Sequence, residues 1–274
     1  MNAGYDCHLH VIDPTRFPYG PGPGYLPGAN EKGDAKLLAE TFAANGIVGA
    51  LLVQPSIYGT DNRCMLDAIE GAKGAYRGIA VIDPAINERE LDELAAAGIV
   101  GIRLNAENIG PEVLEAAKPL LPRLIARDWF IQVQIRATAL PEFVGMLTAP
   151  LKQAKKSKLI FDHLGYPAVE RGIEEPGFQE VLRCGREGLA LVKLSGAFRH
   201  SQEVFPHADL DPFAAALLDA FGPERCIFGS DWPFFGDVKP EYASTLAMID
   251  RWLPNTDERR QVLIENPKRY FGLP

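Results

Sequence analysis

The chain has 274 residues, 47% of them hydrophobic and 23% charged, with a formal net charge of −8. That balance fits a globular protein with one large core and excludes nucleic acid or an anionic membrane surface as the main partner. No uninterrupted apolar run reaches the roughly 18 residues of a membrane span, so none is predicted.

Taken in chain order, short apolar runs alternate with longer amphipathic ones. The first predicted strand is Tyr5–His8. A proline- and glycine-rich segment over 14–33 follows, too long for a simple connector and read either as a lid or as a flexible insertion. A helix is predicted over Ala35–Asn45, then strand Val48–Val53, helix Asn62–Lys73, strand Arg77–Ile82, helix Glu88–Ala97 and strand Val100–Leu104. Helix Pro111–Asp128, strand Phe130–Ile135, helix Leu140–Leu147, strand Leu159–Asp162 and helix Gly177–Glu187 come next. Strand Ala190–Leu194, helix Pro212–Phe221 and strand Arg225–Phe228 precede two closing helices, Glu241–Leu253 and Asp257–Tyr270. Gly46, Gly74, Gly98 and Gly222 stand where left-handed helix ends want glycine, and Pro111 and Pro212 sit in first turns, where a missing N–H costs nothing. Strict alternation implies parallel strands joined by right-handed crossovers. Eight such units predict an α/β fold, a single (β/α)8 TIM barrel over residues 1–274. No Gly-x-Gly-x-x-Gly follows the first strand, which argues against a dinucleotide-binding sheet.

In such a barrel, chemistry gathers at the carboxyl ends of the strands. His8-Leu9-His10 puts two imidazoles at period 2, hence on one face, with Cys7 and Leu9 expected on the other. Gly229-Ser230-Asp231-Trp232-Pro233 closes the last strand, next to the first in a closed barrel, so Asp231 is expected to face both histidines. The other strand ends carry Gln54 and Ser56, Asp83, Arg103 and Asn105, Gln132 and Gln134, Asp162 and His163, and Lys193, Ser195 and Arg199. One of Gln132 and Gln134 is expected to enter the site. Lys193 needs an anion, from the protein or from a substrate. His200 and His207 fall in a loop with no comparable case. Cys7, Cys64, Cys184 and Cys226 lack metal-type spacing and read as reduced. No basic-then-apolar leader is present, and a cytoplasmic protein is expected.

These segments resemble the amidohydrolase superfamily, in the branch that holds 2-pyrone-4,6-dicarboxylate lactonase and sugar-lactone hydrolases. Asp162-His163-Leu164-Gly165, Val53-Gln54-Pro55-Ser56, Gly101-Ile102-Arg103-Leu104-Asn105, Lys193-Leu194-Ser195-Gly196 and Glu265-Asn266-Pro267 also carry the likeness, which runs from Tyr5 to about Phe271. It implies hydrolysis of a small-molecule lactone: Asp231 as general base for water, with His8, His10 and His163 polarising the carbonyl. Arg103 and Arg199 would grip a carboxylate, while Ser56, Gln134 and Tyr25 fill polar positions around the ring. An ion pair to a neighbouring acid such as Asp83 is the competing role for Arg103. Metal-binding members typically add a lysine on the fourth strand or a histidine on the fifth, where this chain has glutamine. No cofactor is therefore expected; the alternative is one zinc or manganese ion on His8, His10 and Asp231, with His163 as a further candidate ligand. Ala106-Glu107-Asn108 stands where the resembled lactonase has a further arginine, which favours a substrate with one carboxylate or a sugar lactone. Competing readings are a metal-dependent amidohydrolase or decarboxylase, a lactone isomerase, and a barrel that only binds its ligand.

Overall fold

In the computed structural model, which describes residues 4–20, 26–28, 31–155, 157–236 and 238–274, the eight apolar runs form eight strands paired in sequence order, all parallel. They are β1 (Gly4–Leu9), β2 (Ile47–Val53), β3 (Tyr76–Ala80), β4 (Ile99–Asn105), β5 (Phe130–Gln134), β6 (Leu159–Phe161), β7 (Ala190–Leu194) and β8 (Cys226–Phe228). A parallel bridge between Leu9 and Trp232 brings the last strand back to the first, so the sheet closes as a (β/α)8 barrel.

The helices are α1 (Ala35–Asn45), α2 (Arg63–Gly71), α3 (Glu88–Ala96), α4 (Glu112–Ala117), α5 (Leu121–Ala126), α6 (Leu140–Ala154), α7 (Pro176–Arg186), α8 (Ala197–His200), α9 (Asp211–Phe221), α10 (Tyr242–Trp252), α11 (Thr256–Arg260) and α12 (Asn266–Phe271). Three expectations are corrected by proline chemistry and packing. The helix expected over Pro111–Asp128 is two, because Pro119 cannot donate to the carbonyl four residues back and the chain breaks there. The sixth helix runs on to Ala154 past Pro150, since it buries Leu140, Phe143, Val144, Leu147 and Leu151 along one stripe. The closing helix relaxes into a π turn at Gln261–Glu265 just before Pro267, whose ring crowds the preceding turn.

Two apolar layers result. One lies between strands and helices; the other fills the barrel's amino-terminal half with Tyr5, Leu51, Ile79, Phe130, Ile160, Leu191 and Ile227, plugged by Phe271 and Leu273. Cys7 belongs to that inner layer, against the expectation from simple alternation. Three residues from Asp6 to Leu9 match only two from Ala50 to Leu52, a bulge that breaks the period. The bulge lets Cys7 and His8 both turn inward and sends Asp6 outward.

The long segment after β1 is tied at its base by the Ile12–Gly33 bridge, by Arg16 to Asp67 (2.7 Å) and by Glu31 to Lys239 (2.6 Å). Tyr19 packs on Tyr58, with ring centres 5.4 Å apart; Tyr25 lies outside the described residues. All four cysteines are free and buried, and no helix among the described residues is long and apolar enough to cross a membrane.

Candidate active site

The contacts that close the barrel also position its polar mouth. Asp231 N donates to the His8 carbonyl (2.7 Å) and His10 N to that of Trp232 (2.9 Å). Asp6 clamps the junction from outside: Oδ1 accepts from the backbone N of His8 and of Ser230, each at 3.0 Å, and Oδ2 from Tyr242 Oη at 2.7 Å. Burial outweighs these donors and pushes the Asp6 carboxyl up to about 6. The two strand ends meet so closely that a Cβ on Gly229 would lie 2.5 Å from the His8 Cβ. On the opposite side, Gly196 at φ 65° leaves room for the His163 ring, whose Nδ1 would sit 2.7 Å from an added Cβ.

Asp231 (φ 65°) and His163 (φ 45°) hold left-handed backbone conformations that cost a non-glycine residue on the order of 1–3 kcal/mol each. Such strain persists where the surroundings over-determine it, as in functional sites. Asp231 Oδ1 lies 3.4 Å from His10 Nε2, 3.7 Å from His8 Nε2 and 3.9 Å from His163 Nε2. Its Oδ2 pairs with Arg199 Nε. Burial alone would raise this carboxyl, but Arg199 and the imidazoles outweigh it and hold Asp231 well below the usual carboxylate range. Burial also lowers His163 to about 4, so the ring is neutral at pH 7; its Nδ1 is 2.9 Å from Ser195 Oγ. His10 Nδ1 lies 2.8 Å from the Val53 carbonyl, which can only accept, so that nitrogen carries a proton.

His8 sits deeper, fully buried. Its Nδ1 is 3.1 Å from both Asp162 Oδ1 and Lys193 Nζ, and its Nε2 has no hydrogen-bond partner among the described residues. Burial and the Lys193 charge hold the ring neutral, well below the ordinary imidazole range. Below it, Lys193 Nζ donates to Gln132 Oε1 (2.6 Å) and lies 3.4 Å from Asp162 Oδ1, while Gln132 Nε2 donates to Asp162 Oδ2 (3.0 Å). Burial lowers Lys193 to about 8, still charged at pH 7. Its anion is thus Asp162, and the lysine is walled off from the mouth. Gln132 serves this inner layer and Gln134 the cavity.

Above Asp231 opens a cavity of about 430 Å³ lined by His10, Ser56, Arg103, Gln134, His163, Tyr166, Arg199 and Asp231 among others. It gathers the candidate residues, apart from His8 behind its floor and Tyr25 outside the described residues. Arg103 does form an ion pair, but with Asp162 (Nε to Oδ2, 3.5 Å) and not with Asp83, which is exposed and caps Ala85 N. Its other nitrogens reach the Gln54 carbonyl (3.4 Å) and Gln134 Oε1. Sequence reasoning missed Asp6, which an acid inside an apolar strand could have flagged. It also missed Tyr166, held by Gln134 Nε2 at 2.9 Å, and gave no place to His200, whose ring packs 4.4 Å from that of Tyr166.

Among the described residues, His8, His163 and Asp231 offer ligand atoms within 4.8 Å of one another, and His10 Nε2 stands 3.4 Å from Asp231 Oδ1, so these are the groups that could hold a metal ion. The donor types suit zinc. The surrounding charge does not: Lys193, Arg103 and Arg199 already outnumber Asp162 and Asp231, and a dication would add to that excess.

The Amidohydro_2 (amidohydrolase) family profile matches residues 5–273. A 4-sulfomuconolactone hydrolase of Hydrogenophaga intermedia is 31% identical over 98% of this chain and 89% of its own length. A D-galactarolactone isomerase of Agrobacterium fabrum is 28% identical over 98% and 90%. A solved Agrobacterium tumefaciens structure superposes with a TM-score of 0.85 at 26% identity, over all of this chain and 97% of the other.

Proposed function

Since the chain belongs to the amidohydrolase family and is a lactonase-type hydrolase within that superfamily, we propose that it opens an anionic small lactone by directing water at the ester carbonyl, without a metal ion. The carrying observation is the focus of three imidazole Nε2 atoms on Asp231 Oδ1, at the floor of the cavity. In this reading Asp231 takes a proton from water as its oxygen bonds to the carbonyl carbon. His8 and His163 donate from Nε2 to the oxyanion so formed. The ring C–O bond then breaks, and the departing oxygen takes the His163 proton, which Asp231 replaces. The product is a hydroxy acid.

The tautomer of His8 decides between this chemistry and metal ligation. His8 Nδ1 faces both Asp162 Oδ1, which only accepts, and the Lys193 ammonium, which only donates; in this reading Lys193 donates to Nδ1 while Asp162 pairs with Lys193, and the His8 proton sits on Nε2, aimed at the cavity. An Nε2–H is an oxyanion donor and cannot be a metal ligand.

Arg199 supplies the anion contact. It engages Asp231 through Nε and keeps its Nη edge for a substrate carboxylate or sulfonate. A bound anion draws the guanidinium field away from Asp231 and raises its proton affinity when water must be activated. Arg103, fixed by Asp162 and Gln134, orients the inner wall and touches the ring from the side.

Isomerisation of a lactone uses the same groups with a substrate hydroxyl in place of water, and the isomerase among the relatives supports it as the second reading. Titrating acid release from a panel of aldono-, mucono- and pyrone lactones tests both. Acid release from an anionic lactone is expected; lactone interconversion without acid release overturns hydrolysis, and inertness towards the whole panel overturns both readings.

A further inference from the structure

Past β6, the consecutive residues His163, Leu164, Gly165 and Tyr166 hold left-handed backbone conformations, with φ of 45°, 58°, 76° and 58°. Only Gly165 adopts that region without strain, so the turn persists because its surroundings fix it. Gly165 N donates to the Asp162 carbonyl and Tyr166 N to that of His163, each at 2.9 Å, and the Tyr166 carbonyl accepts from Ala137 N at 3.0 Å. The turn sets the Tyr166 ring 5.9 Å from that of His163, on the wall of the cavity above Asp231. The His200 ring, edge-on with its centre 4.4 Å away, holds the plane of the phenol.

Donor chemistry then decides how its hydroxyl is used. Arg103, anchored on Asp162, can only donate, so the oxygen of the Gln134 amide faces it. The Gln134 NH2 is thereby turned to Tyr166, and the phenol oxygen accepts from it at 2.9 Å. Burial holds the phenol above its ordinary range, so it keeps its proton at pH 7. That hydrogen has no acceptor among the described residues. A tyrosine at a cavity mouth is commonly packing, with water on its hydroxyl. Here the chain from Asp162 through Arg103 and Gln134 ends in one committed donor. A ring that displaces the water must present an oxygen to it or leave the donor unpaired. We propose that Tyr166 is a specificity-determining residue, whose hydroxyl donates to an oxygen on the substrate ring and turns away rings that present only C–H at that point. The inference rests on the lactonase reading for seating the ring over Asp231, and on the Arg103–Gln134–Tyr166 chain for the donor.

Two lactams test this without turnover, because a lactam fits a lactone site and resists opening. Glucaro-1,5-lactam and 6-oxopiperidine-2-carboxylate share ring and carboxylate, and only the first carries ring hydroxyls. Each is titrated calorimetrically into the wild type, into Tyr166→Phe and into Tyr270→Phe, a control at the other end of the barrel, where Tyr270 Oη donates to the Glu224 carbonyl at 2.9 Å. The wild type is expected to prefer the hydroxylated lactam by about ten-fold or more. Tyr166→Phe is expected to cut that preference about five-fold or more by weakening the hydroxylated lactam alone, and Tyr270→Phe to keep it. On the matching lactones, the effect of Tyr166→Phe is expected to fall on KM for the hydroxylated one, raised about five-fold or more, and not on kcat. Equal wild-type affinity for both lactams, binding of neither, or equal losses on both in Tyr166→Phe overturns the proposal. A Tyr166-dependent preference between lactams in a protein that opens no lactone overturns the lactonase reading and leaves the donor role standing.

Discussion

Replacing Asp231 by asparagine isolates the proton transfer from the shape of the site. The amide keeps the volume, and its Oδ1 can still face Arg199 Nε. Its NH2 then points toward the three imidazoles, of which His10 presents an Nε2 lone pair because its Nδ1 proton is used by the Val53 carbonyl. Loss of a general base costs roughly 10²–10⁴ in rate, about 3–5 kcal/mol of transition-state stabilisation. Stability falls less: the Asp231 side chain is 2% exposed but Arg199 is 34% exposed, so the orphaned cation recovers water and the penalty is at most about 3 kcal/mol, the low end for a broken buried pair. Freed from Asp231, Arg199 binds the substrate anion more tightly, so KM for an anionic lactone is expected to fall while kcat collapses. Acid-release kinetics on folded variant, with circular dichroism melts alongside, read all three quantities. A kcat within tenfold of wild type would sink the assignment of Asp231 as base, and a KM that rises in step with the loss would sink the competition between Asp231 and substrate for Arg199.

Lys193→Met is expected to return the His8 proton to Nδ1, where Asp162 accepts it, lowering kcat and creating a zinc-binding Nε2; elemental analysis after zinc dialysis should show more metal in the variant than in the wild type. Wild-type protein is expected to carry less than one equivalent of zinc or manganese and to keep its activity in chelator, and a stoichiometric ion whose removal abolishes turnover would overturn the metal-free reading. Gly229→Ala, whose Cβ would meet that of His8 at 2.5 Å, is expected to lower kcat through displacement of His8 and to cost about 1–3 kcal/mol by overpacking, read by urea melts. His163 titrates near 4 when folded and near 6.5 when unfolded, so between those values only the unfolded chain takes the proton. Stability therefore drops by about 3 kcal/mol as pH falls through that window, and His163→Gln should flatten the difference between melts at pH 7 and pH 4.5; equal pH slopes in both proteins would refute the assignment.

What could be read from the residues follows the range of the interactions that fix them. The eight strands and their order were legible because each needs only a local apolar run, and sequential pairing then puts His8 beside Asp231 without further information. Prolines mattered more than the helical pattern allowed at Pro119 and less at Pro150, because a buried apolar stripe can hold a helix through one lost hydrogen bond but two prolines three residues apart cannot be spanned. The bulge at Cys7 and His8 was invisible, since alternation is a rule about a single strand and a bulge is a mismatch between two. The partners of Arg103 and Lys193 were invisible for a related reason. Asp162 reaches both from the sixth strand, and no spacing along the chain distinguishes it from the Asp83 that stands nearer in sequence to Arg103. Charge also had to be counted within the site, not along the chain. A protein of net charge −8 surrounds two carboxylates, Asp162 and Asp231, with three cations, Arg103, Lys193 and Arg199, at the floor of the cavity. On the proposed reading, that local excess is the reason to expect an anionic lactone and not a metal ion in this mouth.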